Sequence, residues 1–587
     1  MSASGLFRRR PVATAAVAGL VLAALPVTAA DAASKFTPRY ERVQLLSFND
    51  YHGHIEPDSG PDSQVTIPGG AAVATNGAAF LATHLRQLRY GHAHSLTVAA
   101  GDLIGGSTFT SGVFHDEPSV ETLNKVGLNV SSVGNHEFDE GVTELLRMQN
   151  GGCHPVDGCF QKDASGKDVR YPGASFQYLA ANVVNTKTHK TVLPATWVKK
   201  VGKAKIGFIG MTLEGTDTLV APSGVAGYDF QDEVTAGNAA AKKLQKKGVK
   251  AIVVLLHEGG LTTSTYNGCK GISGPVVEIA KHLAPKIDAV FTGHTHQAYN
   301  CLIADPKGQP RKVVSAMSYG RVISEVNFRI DTKTQDVVRS SVRAVNHLVT
   351  RNVVPDPAVK AIVDKWVAKA AGPGNKVVGS ISADIRRAFN GNTENRAGES
   401  SLSNLIADAQ LESTKGSGAQ IAFMNAGGVR TDLLVNNSPA GEAPGQITYR
   451  EAFNVQPFSN ILQTFSMTGA QIDALLEQQW VAGRPGGRDV LRLGISDGFT
   501  YSWSQAAPFG NKVDPASIKL GGVTLDPAQS YKVTASNFLA DGGDSYPAFV
   551  NGTPRLGGKV DLDALIDFLG AHPNVGPPPA ARSTATP

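Results

Sequence analysis

No long block of lysine or arginine breaks this 587-residue sequence, and its net charge is only +5. A basic face for a nucleic-acid polymer or a membrane surface is therefore not expected. Cysteine is scarce, with four residues in all, and none of them falls in the donor motifs described below. The one long apolar run, Pro11 to Pro26, is short for a bilayer span. No internal repeat, second span, lipid-anchor signal or sorting tail is found.

What is present begins with the three parts of an export signal over residues 1–33. Arg8-Arg9-Arg10 precede the apolar run, and small residues from Val27 to Ala33 offer cleavage sites. The paired arginines allow the twin-arginine route, and Sec export fits equally. The expected mature protein is released, soluble and extracellular, without a membrane anchor. The cysteines suit that compartment. Four permit three pairings. Cys153 and Cys159 bracket a short loop, while Cys269 and Cys301 follow neighbouring strand-like runs, so these two pairs are favoured.

A chain of this length needs more than one core. Residues 40–350 alternate apolar strands with amphipathic segments, an α/β pattern. Ala71 to Leu88 reads as a helix by its apolar period, and Glu233 to Lys247 as another, flanked by strands. Residues 355–372 predict a linker helix, with Asp356 as N-cap and Pro357 first inside. A second, smaller α/β domain spans 376–572, and the Pro/Ala/Thr-rich tail 573–587 is expected to be disordered.

Five strand-like runs lead into hard-oxygen or imidazole donors. Leu45 to Phe48 leads to Asp50 and His52, Ser95 to Ala100 to Asp102, and Val130 to Val133 to Asn135, His136 and Glu137. Ala251 to Leu256 leads to His257 and Glu258, and Ala289 to Phe291 to His294 and His296. Ligands in layered α/β proteins collect at the carboxyl ends of strands. Asp50, His52, Asp102, Asn135, His257, His294 and His296 are mixed donors without sulfur, suited to Zn, Mn, Fe or Co. Seven are too many for one four-coordinate ion and suit two divalent ions ~3.5–4 Å apart. Such a pair acidifies water and clamps a phosphoryl group, so phosphoester hydrolysis is the natural use.

Asn49-Asp50-x-His52-Gly53-His54, Gly101-Asp102, Gly134-Asn135-His136-Glu137-Phe138-Asp139, His257-Glu258 and Gly293-His294-x-His296 resemble the calcineurin-like metallophosphoesterases. More narrowly, they resemble the secreted 5′-nucleotidase/UDP-sugar hydrolase family. That resemblance implies a four-layer α/β-β/α sandwich. It implies one metal on Asp50, His52, Asp102 and His296, and another on Asp102, Asn135, His257 and His294, with Asp102 bridging. His136 is similar to the family's catalytic histidine, oriented by Asp139. His54, Glu137 and Glu258 are left as groups that could orient ligands.

In the second domain, the run from Arg396 through Glu399 and Asn404 to Asp408, with Asn425-Ala426-Gly427-Gly428-Val429-Arg430, resembles the family's C-terminal signature. So do Pro457-Phe458-x-Asn460 and the run from Asn537-Phe538 to Asp544. Arg396 and Arg430 can fork onto phosphate, with Asn425 and Gly428 beside the ligand. Phe458 and Phe538 can sandwich a base, and Asp544 can accept from ribose hydroxyls. Ala426 and Ser403 depart from glycines common in the family.

The resemblance implies a nucleotide as substrate, with nucleoside 5′-monophosphates cut by in-line attack of metal-activated water. UDP-sugar or 2′,3′-cyclic phosphodiester cleavage is the alternative within the family, and nucleotide binding without turnover the alternative outside it.

Overall fold

The computed structural model describes residues 39–587 apart from 60–62, 221, 459, 485–487, 580 and 587. The export signal expected over residues 1–33 lies outside the described residues.

Two six-stranded sheets build the first half. One runs in the order Arg343–Leu348, Val322–Asp331, Tyr40–Phe48, Ser95–Ala100, Val130–Ser132, Gln177–Leu179. The other runs Thr196–Val201, Ala204–Thr212, Ala251–His257, Ala289–Thr292, Pro310–Ala316, Ala298–Ala304. Every residue of Ala251–His257 is buried, as a strand covered on both faces requires. Between the sheets, Val43, Leu45, Val98 and Phe328 meet Phe208, Val253, Leu255 and Phe291. Outside them, the helices Glu233–Lys246 and Pro275–His282 set Leu244, Val276 and Ile279 against Ile252 and Val254. Ala78–Arg89 and Glu117–Val126 cover the opposite sheet. The result is the helix–sheet–sheet–helix sandwich.

Two expectations need correction, the start of one helix and the state of the tail. The helix placed from Ala71 begins at Ala78, because Asn76 and Gly77 take φ of 72° and 98°. A right-handed helix does not pass through two left-handed residues, and Ala72–Ala74 instead pairs with Gln64–Thr66. The linker helix runs Pro357–Gly374, with Asp356 accepting from the Ala358 and Val359 amides at 3.0 and 3.1 Å. It is packed against the first half: Trp366 is fully buried, its ring 4.9 Å from Phe114, and its Nε1 donates to Glu121 at 2.8 Å. Finally, the tail is not structureless. Ser583–Thr586 adds a parallel strand beside Phe499–Ser504, with the Arg582 guanidinium forked onto Asp408 at 2.7 and 2.8 Å.

The second half centres on a five-stranded sheet, ordered Leu493–Ile495, Ile421–Asn425, Ser530–Ser536, Ile461–Thr468, Thr553–Val560. Helices Ser401–Thr414 and Asp561–Ala571 bury Leu405, Ile406 and Leu565 in one core. Gly469–Glu477, opened by the Thr468/Gln471 capping box, buries Ile472 and Leu475 in another. Cys153 pairs with Cys159 and Cys269 with Cys301. Among the described residues, no helix is long and apolar enough to cross a membrane.

Candidate functional site

The strands Tyr40–Phe48, Ser95–Ala100 and Val130–Ser132 are mutually parallel, as are Ala251–His257 and Ala289–Thr292. Beyond their carboxyl ends the chain turns through left-handed backbone, with φ of 49° at Asp50, 48° at His52, 51° at Asp102, 68° at His294 and 57° at His296. Each such non-glycine residue costs on the order of 1–3 kcal/mol and persists only where its surroundings fix it. Here they do. The Asp50 amide donates to the Gly101 carbonyl at 3.0 Å, and the His52 amide to the Asp102 carbonyl at 3.1 Å. The His294 amide donates to both Asp50 carboxylate oxygens at 2.9 and 3.1 Å.

These turns bring the seven sequence-predicted donors together. Asp50, His52 and His296 offer ligand atoms within 4.8 Å of one another, and so do Asp102, His257 and His294. Asp102 Oδ2 links the groups, 3.0 Å from His257 Nε2 and 3.6 Å from His52 Nε2. Asn135 Oδ1 lies 3.2 Å from His257 Nε2 and 3.0 Å from His294 Nδ1. Backbone carbonyls face the other ring nitrogens: Gly105 O is 2.7 Å from His52 Nδ1, and Ala100 O is 2.7 Å from His257 Nδ1. A carbonyl there takes the Nδ1 proton and leaves Nε2 as the inward atom. His52 Nε2 is buried without a hydrogen-bond partner.

Burial drives His52, His294 and His296 well below the usual imidazole range, leaving them neutral. Burial pushes Asp50 up to about 7. Burial also acts against the charged form of Asp102, but His257 and His136 outweigh it and hold that carboxyl down.

His136 stands beside the cluster, its ring centroid 5.0 Å from that of His52. Its Nδ1 is 2.9 Å from Asp139 Oδ2, and its amide donates to Asp102 Oδ1 at 2.9 Å. Burial pulls the ring toward neutrality, yet Asp139 and Asp102 hold it above its ordinary value. Glu137 accepts from the amides of Asp102 at 2.9 Å, Leu103 at 2.7 Å and also Gly134, fixing two donor loops at once. Glu258 accepts from the Gly259 amide at 2.7 Å. His54 stacks on Tyr319 at 3.9 Å, and that ring in turn lies 5.3 Å from His296.

A cavity of about 580 Å³ opens between Asn135, His136 and His294 and the second half. All seven residues expected to bind substrate line it: Arg396, Asn425, Gly428, Arg430, Phe458, Phe538 and Asp544. Arg396 Nε pairs with Glu394 at 3.1 Å. Arg430 Nε and Nη2 are buried with no hydrogen-bond partner among the described residues. Phe458 lies 5.7 Å from His136 with its plane tilted only 20°, and the Arg430 guanidinium sits 5.7 Å from the ring centre. Asp544, at φ 53°, accepts from Asn425 Nδ2 at 2.7 Å through one oxygen, Oδ2. A Cβ at Gly428 would meet Met424 Cε at 2.6 Å and Asn425 Oδ1 at 2.8 Å, so a side chain there would make these neighbours shift. Arg484 and Arg488 also line the cavity. No motif points to them, because an arginine in a Gly/Pro-rich loop reads as solvated.

Residues 45–298 match the calcineurin-like phosphoesterase family, and residues 377–551 the 5′-nucleotidase C-terminal domain. Endonuclease YhcR of Bacillus subtilis is 33% identical over 532 residues, 90% of this chain, which spans only 39% of YhcR's length. The cell wall protein Lmo0130 of Listeria monocytogenes is 32% identical over 576 residues, 94% of this chain and 70% of that one. A snake venom 5′-nucleotidase from Gloydius brevicauda is 25% identical over 90% of this chain and 86% of its own. In fold, the chain is similar to a 5′-nucleotidase precursor from Thermus thermophilus, with a TM-score of 0.74 at 24% identity, covering 93% of this chain and 99% of that one. The chain belongs to the 5′-nucleotidase family of metal-dependent phosphoester hydrolases, with a calcineurin-like phosphoesterase half and a 5′-nucleotidase C-terminal half.

Proposed function

We propose that this chain is an exported 5′-nucleotidase that hydrolyses nucleoside 5′-monophosphates to nucleoside and phosphate with two divalent metal ions of the Zn, Mn or Co kind. One observation carries the reading. A sulfur-free donor cluster, with an orphaned His52 Nε2 inside it, shares one cavity with the unpartnered donors of Arg430 and the rings of Phe458 and Phe538. The neutral imidazoles of His52, His294 and His296 and the buried carboxylates suit a pair of cations.

Asp50, His52, Asp102 and His296 would hold one ion, and Asp102, Asn135, His257 and His294 the other. Bound there, the ions would neutralise phosphate charge and supply a nucleophilic water near neutral pH. The chain's own side chains do the rest. Arg396 and Arg430 fork onto the phosphoryl oxygens. His136, kept charged and oriented by Asp139 at Nδ1, donates its other ring N–H to the oxygen where charge builds as the bond to the 5′-oxygen breaks. Phe458 and Phe538 take the base between them. Asp544 offers the carboxylate oxygen that Asn425 leaves free to the ribose hydroxyls.

Relatives named an endonuclease and a trifunctional nucleotide phosphoesterase match over 90% of this chain, so ester type is the question to measure. The test is phosphate release from a panel of nucleoside monophosphates, UDP-sugars and cyclic nucleotides, after chelation and then metal add-back. Loss on chelation and recovery with metal, greatest for monophosphates, is expected. Release that ignores chelation, or none with any metal, would refute the reading.

A further inference from the structure

Four arginines of the second half reach the cavity, and their partners differ. Arg396 is neutralised by Glu394. Arg484 is spent on backbone, its guanidinium donating to the carbonyls of Asp544 and Gln478. Arg430 and Arg488 form no ion pair among the described residues. Among the described residues, Arg488 makes one long hydrogen bond, from Nη2 to the Thr295 carbonyl at 3.4 Å. Thr295 lies between His294 and His296. A guanidinium carried by the second half thus stands at the rim of the donor cluster carried by the first. Burial, together with Arg396 and Arg430 nearby, pulls Arg488 down to about 10, so it remains a cation at neutral pH. Three like charges gathered at one wall, with Glu394 pairing only one of them, are costly unless an anion comes to sit there.

We propose that Arg488 is a third phosphate-contacting arginine, a catalytic residue whose guanidinium meets the phosphoryl oxygens across the domain boundary during transfer. This rests on the phosphohydrolase reading above. In that reaction the water oxygen bonds to phosphorus, the bond to the ester oxygen breaks, and a proton goes to the leaving oxygen. The transferring phosphoryl group carries negative charge spread over its oxygens, and a preorganised cation at their edge stabilises it. Arg488 acts on the phosphoryl group and not on the nucleoside, so its effect is independent of what the phosphate is attached to. The same placement makes the chemistry depend on the second half being seated on the first, because the Thr295 contact crosses that boundary.

The test uses the full-length, metal-loaded protein with a nucleoside 5′-monophosphate and p-nitrophenyl phosphate. In Arg488→Ala, kcat is expected to fall roughly 100-fold with both substrates, the scale of losing one charge-stabilising donor. Metal content should match wild type, and guanidinium chloride in the assay should restore part of the rate. Arg488→Lys, which keeps a cation but loses the fork, should fall between the two. Rates near wild type with both substrates would overturn the inference. So would a loss confined to the nucleotide, or a loss of metal that guanidinium does not rescue, which would mark Arg488 as a brace for the Thr295 loop. A wild-type protein that releases phosphate from neither substrate defeats the functional reading itself, so that failure is seen before any variant is compared.

Discussion

His136 Nδ1 lies 2.9 Å from the Asp139 carboxylate three residues on, and the short helical turn His136–Phe138 between them fixes which ring nitrogen faces the cavity. The ring is tied on one side and free on the other, as a proton donor to substrate requires. His136→Ala should therefore lower kcat by about 10²–10⁴-fold while leaving metal content intact. Asp139→Asn should cost less, since it keeps a hydrogen bond but not the charge. Steady-state rates read beside metal analysis check both, and unaltered turnover in His136→Ala would remove the residue from the mechanism.

Asp102 is the group that joins the two donor triads, with Oδ2 toward His257 and His52 and Oδ1 taken by the His136 amide. Asp102→Ala should lose at least one of two bound ions by elemental analysis, and phosphate release should fall to background. Two ions retained at full occupancy would show that Asp102 does not bridge.

The donor cluster is legible in the sequence because each donor follows an apolar run that can only be a buried strand, and strand ends in such folds share an edge. The second-half side chains that line the cavity are legible through residue order. What escapes has physical causes. The helix start at Ala78 depends on left-handed backbone at Asn76 and Gly77, and an apolar period does not record the sign of φ. Arg488 sits in a loop whose composition suggests solvent, and only the folded chain sets it against Thr295. The tail is rich in proline, which argues against order, yet four residues beyond Arg582 find an open strand edge.

Phe458 and Phe538 line the cavity, each partly exposed, and Phe538 also packs against the second-half core. Stacking on an aromatic is worth about 1–3 kcal/mol per base. Phe458→Ala and Phe538→Ala should each raise KM for a nucleotide about tenfold, and should affect a generic aryl phosphate less. Equal losses on both substrates would show that the rings serve packing instead.

His115 is gripped from both sides, Nδ1 by Glu140 at 2.6 Å and Nε2 by Asp157 at 2.7 Å, which pins the loop closed by Cys153 and Cys159. Burial opposes the charged ring, but Glu140 and Asp157 outweigh it and raise its pKa to about 9. Because the folded value exceeds the unfolded value of 6.5, the clamp's stabilisation is complete below about pH 6.5 and is lost as pH rises through about 9. The Tm difference between wild type and His115→Gln should therefore be largest at about pH 6 and vanish near about pH 10. A difference that does not change with pH would show that the ring acts by packing and not by charge.

Arg582 is buried in the second half, where its guanidinium meets both Asp408 oxygens and donates to the Ile495 carbonyl at 2.6 Å. Its own amide donates to Glu399 at 3.0 Å, and the Ser583 hydroxyl donates to the same carboxylate at 2.8 Å. The Pro-rich segment therefore acts as a tether that ends in an anchored strand. Removing one partner of a buried ion pair costs roughly 3–5 kcal/mol, and the partial exposure of Asp408 puts Arg582→Ala at the low end. The urea unfolding midpoint should drop accordingly, and Arg582→Lys, which cannot fork, should recover only part of it. An Arg582→Ala midpoint equal to wild type would mean the strand rests on the surface without holding it.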